Sequence, residues 1–236
     1  MPYVYGKNTV REYILNNKNV LKIIANNKSN DLINLAKSKG ISTQIVDNAY
    51  LDKLVSGRHQ GIVAQIKDFK YYDLEDITSD MDKKYPFVLM LDGLEDPHNL
   101  GAILRTCDAC LVDGVIICKN RSVRLNDTVA KVSTGAIDYV KVVEVTNLTN
   151  TIKELKKKGF WIVGAEAMEE SRYYDQLKYD MPVCLVVGSE GRGISELVRK
   201  NCDFLVKIPM YGHVNSLNAS VSCSVLIYEI IKYHKK

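Results

Sequence analysis

No uninterrupted apolar run in these 236 residues approaches the ~18 needed to cross a bilayer. The opening Met1-Pro2-Tyr3-Val4-Tyr5-Gly6-Lys7 has no apolar core of the kind a secretory signal needs. Cysteine is missing from the first hundred positions; the six present, at 107, 110, 118, 184, 202 and 223, lie mostly inside apolar strand or helix patterns. A disulfide framework is therefore excluded, and the expectation is a cytoplasmic chain with reduced, buried thiols. Cys107-x-x-Cys110 has the spacing of half a metal or redox site, but no second CxxC and no His pair completes it. The two read as packed core thiols, and no metal is expected. No G-x-x-x-x-G-K-[ST] loop occurs. Glycines 188, 191 and 193 follow G-x-x-G-x-G and not the dinucleotide spacing G-x-G-x-x-G, so nucleotide triphosphate and nicotinamide sites are poorly supported. There is no internal repeat.

What is present is enough apolar content, 46%, to bury a core in one large or two small domains. The net charge of +4 is unevenly spread: residues 1–67 hold ten Lys/Arg and four Asp/Glu, hence +6, which leaves −2 for the remainder. A basic N-terminal part suits a polyanion partner. It equally suits a solvated surface rich in Lys and Asn, as the tracts at 16–19 and 26–28 illustrate. Charge alone leaves both open.

Patterning divides the chain. Residues 1–67 read as a compact αβ unit, with helical patterns at Val10–Leu15, Asp31–Ser38 and Asp47–Val55. Strand patterns fall at Val20–Ala25, Ser42–Val46 and Gly61–Ile66. Residues 68–85 are charged and weakly periodic, as expected of a linker with one small helical turn. From residue 86 to 236, strands at Phe87–Leu91, Gly114–Cys118, Tyr139–Val143, Phe160–Gly164, Val183–Val187 and Phe204–Ile208 alternate with helices at Leu100–Cys110, Asp127–Gly135, Leu148–Lys158, Ile194–Lys200 and Ala219–Tyr233. This alternation specifies an α/β domain with a mainly parallel sheet.

Open parallel sheets bind ligands at the carboxyl ends of their strands, and three strand ends here carry unusual residues. In the first, Asn99 is expected at or near a helix start, Gly101 permits close approach, and Arg105 lies about one and a half turns further on. That spacing suits an anion near the helix N-terminus. The second is Gly188-Ser-Glu-Gly-Arg-Gly193, whose glycines let backbone amides approach a ligand or simply make a tight turn. The third is Ile208-Pro-Met-Tyr-Gly-His-Val-Asn-Ser-Leu-Asn-Ala-Ser220, a dense polar cluster between a strand and a helix. Ser216 or Asn218 as a helix cap accounts for one of its members, hardly for Asn215, Ser216, Asn218 and Ser220 together.

In order, Asn-Leu-Gly-x-x-x-Arg, Gly-Ser-Glu-Gly-x-Gly and Ile-Pro-Met-x-Gly-x-x-x-Ser-Leu-Asn-x-Ser resemble the three signature motifs of the SpoU (TrmH-like) RNA ribose 2′-O-methyltransferases of the SPOUT superfamily. The resemblance covers residues 86–236. Residues 1–67, with Tyr5-Gly-Lys-Asn-Thr-Val-Arg-Glu and His59-Gln-Gly-Ile-Val-Ala64, are similar to that family's L30e-like RNA substrate-binding domain. Among family members the layout is most similar to bacterial enzymes that methylate a guanosine in the P-site loop of 23S rRNA. The same chemistry on tRNA or another rRNA nucleotide, including resistance-type methylation, is the nearest alternative; a noncatalytic RNA-binding assembly factor is a more distant one.

The resemblance implies a trefoil-knotted α/β domain, a homodimer, and S-adenosyl-L-methionine as co-substrate without a metal. It implies cofactor contacts at Gly188, Ile208 and Leu217, with Gly193 and Met210 in the surrounding loops. The catalytic set becomes Asn99, Arg105, Glu190, Ser216 and Asn218. Tyr3, Tyr5, Arg11, Arg58 and His59 are candidates for RNA contacts by stacking and phosphate pairing, and Arg121 and Arg124 for a clamp on the target phosphate. His98 and His213 adjoin the motifs without occupying a motif position. Cys107, Cys110 and Ser222 depart from the family pattern by compact substitutions that affect packing.

Overall fold

A computed structural model describes residues 3–16, 20–79 and 84–234. The chain divides into two compact units, Met1–Phe69 and Lys70–Lys236.

In the first unit the strands β1 (Tyr3–Tyr5), β2 (Val20–Ala25), β3 (Ser42–Ile45) and β4 (Ile62–Ile66) form a sheet in the order β1-β4-β2-β3. β4 runs antiparallel to both neighbours, and β2 and β3 are parallel. Alternation along the strands sends successive side chains to opposite faces. Ile23, Ala25, Ile62, Ala64 and Ile66 pack with Val10 and Ile14 of α1 (Lys7–Asn16) and Leu32, Ile33 and Ala36 of α2 (Asn30–Ser38). Ile24 and Val63 face the other way and meet Leu51 of α3 (Asn48–Leu54), whose first turn is capped by Asp47 through Tyr50 N–H at 2.8 Å. β1, three residues long, is too short to show a period in sequence. It joins the two ends of the unit: Tyr5 pairs with Val63, and Gln60 Oε1 accepts from Lys7 N–H at 2.9 Å.

In the second unit seven strands stand in the order β7-β6-β5-β10-β8-β11-β9. These are β5 (Phe87–Asp92), β6 (Gly114–Cys118), β7 (Val142–Val145), β8 (Trp161–Ala165), β9 (Arg172–Tyr173), β10 (Val183–Gly188) and β11 (Phe204–Lys207). Every neighbouring pair is parallel. Strands buried on both faces explain the unbroken apolar runs. One face, with Val88, Met90, Ile116, Ile162, Cys184 and Val186, packs on Ile152 and Leu155 of α7 (Leu148–Lys157) and Val198 of α8 (Glu196–Arg199). The alternate residues Leu89, Leu91, Val115, Ile117, Leu185 and Val187 are equally buried on the opposite face. α5 (Pro97–Cys110) and α9 (Ala219–His234) lie against each other, joined by Thr106 and Ser224 hydroxyls 2.9 Å apart. The last helix thus returns to the first long helix of its unit. Among the described residues, no helix is long and apolar enough to cross a membrane.

Two local readings differ from expectation. The strand expected at Tyr139–Val143 begins at Val142, because a 3-10 turn at Ala136–Asp138 follows the end of α6 (Asp127–Val132) and leaves Tyr139 exposed. Much of the expected linker is packed: Tyr72 N–H bonds Val142 O at 2.9 Å, and Leu74 and Ile77, the latter within α4 (Glu75–Thr78), join the core of the second unit. Its charge hid two buried aliphatic side chains too few to make a pattern. Residues 80–83 of that segment lie outside the described residues.

Cys107, Cys110, Cys184 and Cys223 are buried, and none of the six cysteines forms a disulfide. Burial pushes Cys107, Cys184 and Cys223 above the usual thiol range, and Cys202 up to about 12. At pH 8 iodoacetamide should label partly exposed Cys118 in the folded protein and spare Cys107, Cys184 and Cys223, whereas urea should expose all six; mass spectrometry of tryptic peptides checks this. A raised folded pKa means the unfolded chain loses these protons first. The stability they confer is complete below about pH 8.5 and is lost as pH rises beyond it, so the urea midpoint should fall on the alkaline side.

Candidate active site at the strand carboxyl ends

β10 lies between β5 and β8, so the sheet reverses its winding where the carboxyl ends of β5 and β10 meet. Ligands collect at such a switch point because the two loops part there. The loop after β5 enters α5 through Asp96, whose Oδ1 accepts from His98 N–H at 2.9 Å, with Pro97 opening the helix. Asn99 therefore lies in the first turn, and it is buried, at 7% exposure. Gly101, expected to permit close approach, does so for another helix: a Cβ there would come within 2.7 Å of Val132 Cβ in α6.

The loop after β10 folds back on itself. Gly193 N–H bonds Ser189 O at 2.9 Å, and a Cβ on Gly188 would fall 2.0 Å from the Gly193 carbonyl carbon. Gly193 itself has φ +65°. A side chain on Gly188 would displace Gly193, and one on Gly193 would strain the backbone and press on the Glu166 carboxylate. The loop is clamped from outside by two carboxylates: Glu166 Oε2 accepts from Ile194 N–H and Asp92 Oδ2 from Ser195 N–H, each at 2.8 Å.

This turn carries Glu190 to the centre of the site. Its Oε1 accepts from Asn99 Nδ2 at 3.1 Å, Asn218 Nδ2 at 2.7 Å and Ala219 N–H at 3.2 Å. One oxygen thus joins all three unusual strand-end segments. Asn218 is also the cap of α9: its Oδ1 accepts from Ser220 N–H at 2.9 Å and Ser220 Oγ at 2.6 Å. The capping and site readings of Asn218 therefore hold together.

Two cavities flank this point. One, of about 310 Å³, is lined by Gly188, Gly193, Ile208, Met210, Ser216 and Leu217 among others, with apolar walls from Val187, Val206 and Leu226. Its size and its mixture of apolar walls with glycine backbone suit a small organic ligand. The other, of about 270 Å³, is lined by Gly93, Leu94, Glu95, Asp96, Asn99, Ser189, Glu190 and Arg192. Ser189 and Glu190 belong to both. Adjacent cavities with a common wall can hold two reactants side by side, which is the arrangement a group transfer requires. Among the described residues no group of three or more His, Cys, Asp or Glu could hold a metal ion.

Other expected residues lie elsewhere. Arg105 is on an exposed face of α5, lines neither cavity, and among the described residues makes no hydrogen bond or ion pair. Six residues along a helix is about 600° of rotation, so Arg105 does not share the face of Asn99. Arg124 forms a two-pronged pair with Glu144, at 2.7 and 3.1 Å, which raises its already high pKa. Arg121 is exposed, and its neighbours Ser122 and Val123 are tied to Leu94 O at 3.2 and 2.7 Å, beside the second cavity. In the first unit Arg11 pairs with Asp31 at 3.0 Å, and Arg58 is exposed. His59 is held between Asp52 Oδ1 and Gly61 N–H, both at 2.9 Å; Nδ1 accepts from the amide, which leaves the proton on Nε2. Sequence reasoning passed over Glu166, Ser189 and Arg192. Glu166 directly follows β8, and the carboxyl-end rule applied to that strand would have found it.

Removing the shared acceptor by Glu190→Ala should lower the melting temperature by about 3–6 °C, equivalent to about 1–2 kcal/mol. Glu190→Gln, which keeps one acceptor oxygen, should lose less than half of that. Calorimetry showing no change in the alanine variant would mean that these bonds do not hold the loops together.

Comparison with known proteins agrees with this geometry. Residues 86–228 match the SpoU rRNA Methylase family, and residues 3–72 match the family of RNA 2′-O ribose methyltransferase substrate-binding domains. A Staphylococcus haemolyticus protein named as a TrmH family tRNA/rRNA methyltransferase is 49% identical over 236 residues, covering 97% of this chain and 94% of its own. The similarly named YacO of Bacillus subtilis is 46% identical over 239 residues, covering 98% and 95%. Among solved structures, the AdoMet-bound rRNA methyltransferase of Sinorhizobium meliloti superposes with a TM-score of 0.67 at 18% identity, over 98% of this chain and 87% of that one. The SpoU methyltransferase AviRb of Streptomyces viridochromogenes, in complex with AdoMet, gives 0.66 at 21% identity, over 98% and 89%. At such identities the structural likeness speaks for the fold, which is that of the SpoU methyltransferases.

Proposed function

This chain belongs to the SpoU rRNA methylase family, and we propose that it transfers a methyl group from S-adenosyl-L-methionine to the ribose 2′-oxygen of a guanosine in the P-site loop of 23S rRNA. The observation that carries the two-reactant reading is the pair of cavities with Ser189 and Glu190 as their common wall. The 310 Å³ cavity is the donor site, where Gly188 and Gly193 leave room at the loop and Ile208, Met210 and Leu217 supply apolar surface. The donor supplies an already activated methyl on a sulfonium. The neighbouring cavity, with Asn99, Glu190 and Arg192, receives the target ribose. Residues 1–67 are the RNA-holding part, a reading supported by the substrate-binding family match and the +6 charge of that segment.

In this reaction the protein must align the two centres and assist removal of the hydroxyl proton. Glu190, held by Asn99 and Asn218, sets the boundary between the reactants. Ser216 stands in the wall of the donor cavity. Arg105 lines neither cavity of its own chain, so its role belongs to the assembled dimer. A guanidinium stays protonated, and there it stabilises the developing alkoxide while a substrate phosphate takes the proton.

The exposure of Arg105 supports a homodimer. Thr106, next to it, meets Ser224 of α9, and α9 presents exposed Val221 and Tyr228 at 48% and 60%. A second copy docked on this face covers Arg105 and completes the site.

Mass mapping of 2′-O-methylated nucleotides in cells with and without this gene tests the target. One 2′-O-methylguanosine of the 23S P-site loop should disappear; loss confined to tRNA would make the rRNA assignment wrong. Arg105→Lys should lower turnover about 10²-fold with donor affinity unchanged, and near-wild-type turnover would count against the guanidinium's role.

A further inference from the structure

We infer that Glu166 holds the vicinal ribose hydroxyls of the methyl donor and is a specificity-determining residue of the donor cavity. This rests on the donor-site reading above.

Glu166 is the residue immediately after β8, and it lines the donor cavity beside Gly193. Its backbone is fixed on both sides: the N–H bonds Val206 O at 3.0 Å, and the carbonyl accepts from Ser171 Oγ at 2.6 Å. Its Oε2 accepts from Ile194 N–H at 2.8 Å, which orients the carboxylate. Oε1 has no hydrogen bond or ion pair among the described residues. A Cβ on Gly193 would fall 2.5 Å from Oε1, so the missing side chain keeps that oxygen open. Lys207 lines the same cavity, but its ammonium turns to the carbonyls of Met168 and Glu169, at 2.8 and 3.4 Å.

The result is an oriented acceptor with unspent lone pairs in the cavity wall. A carboxylate only accepts, and its paired oxygens match the two adjacent O–H donors of a ribose diol. In dinucleotide-binding folds a carboxylate on a strand about 20 residues after the glycine loop does this work. No such residue follows the glycine loop here, but Glu166 reaches it from the adjacent strand, 22 positions earlier in the chain. The apolar side chains of Ile208 and Leu217, which line the same cavity, suit the purine. The ammonium of the donor's amino-acid tail is better served by water at the cavity mouth than by this half-buried position.

The test is calorimetric titration of the full chain with 5′-methylthioadenosine, which keeps the diol and lacks the amino-acid tail, and with its 2′-deoxy counterpart. The wild-type chain should bind the ribo form about tenfold more tightly. Glu166→Ala should bind the two nearly alike, and so should Glu166→Gln, which retains an oxygen for Ile194 N–H. Discrimination kept by both variants, or missing from the wild type, overturns the assignment. Variants that weaken S-adenosylhomocysteine but leave 5′-methylthioadenosine unchanged would place the carboxylate at the amino-acid tail and overturn it as well. A wild-type chain that binds neither compound would instead overturn the donor-site reading, and this proposal with it.

Discussion

A single carboxylate oxygen organises the site. Glu190 Oε1 receives hydrogen bonds from α5, the first long helix of the second unit, from the loop before the last helix, and from that helix's first amide. Donors up to 120 residues apart in sequence share one acceptor. Hydrogen bonds to a charged oxygen are stronger than neutral ones, and the buried amide of Asn99 loses its partner if the carboxylate is removed. The same oxygen sets the wall between the two cavities. Holding the loops together and dividing the reactants are therefore one task.

The backbone supports that task through topology. Insertion of β10 between β5 and β8 brings the loops after β5 and β10 side by side, and the short contact between Gly188 and Gly193 turns the second loop back so that Glu190 projects from its tip. Asp92 and Glu166, each at the end of a neighbouring strand, accept from the next two amides of that loop. A turn held from both sides keeps its tip in position without burying it. The hydroxyl contact between Thr106 and Ser224 ties α5 to α9, and so fixes Asn99 and Asn218 relative to each other.

Much of this was legible in the chain. Continuous apolar runs bounded by polar or glycine residues located most of the buried strands, and β2 and β6 have the bounds expected. Asp47 and Asn218 were readable as residues at helix starts, because a short polar side chain before an apolar segment has few other uses. The misses share a cause. β1 is too short for a period, residues 71–78 contribute Leu74, Ile77 and the partly buried Tyr72 to a core otherwise built from distant segments, and the turn at 136–138 displaces a strand whose apolar pattern continues through it. Local pattern is weak evidence when the stabilising contacts are non-local. His59 and Arg124 read in sequence as candidates for contacts to RNA and to the target phosphate, and in the fold both are engaged with carboxylates.

Sequence alone determined the class of this protein, the alternation of its elements and the three segments that meet at the site. These follow from periodicity, backbone chemistry and ordered motifs, all of which are properties of neighbours along the chain. Only the tertiary structure decided which atoms meet. That Glu190 bonds both Asn99 and Asn218, that Arg105 stands apart from them on an exposed helix face, and that Glu166 reaches the glycine loop from an adjacent strand depend on strand order and helix rotation. Those quantities are set by packing between segments far apart in the chain, and no window of sequence contains them.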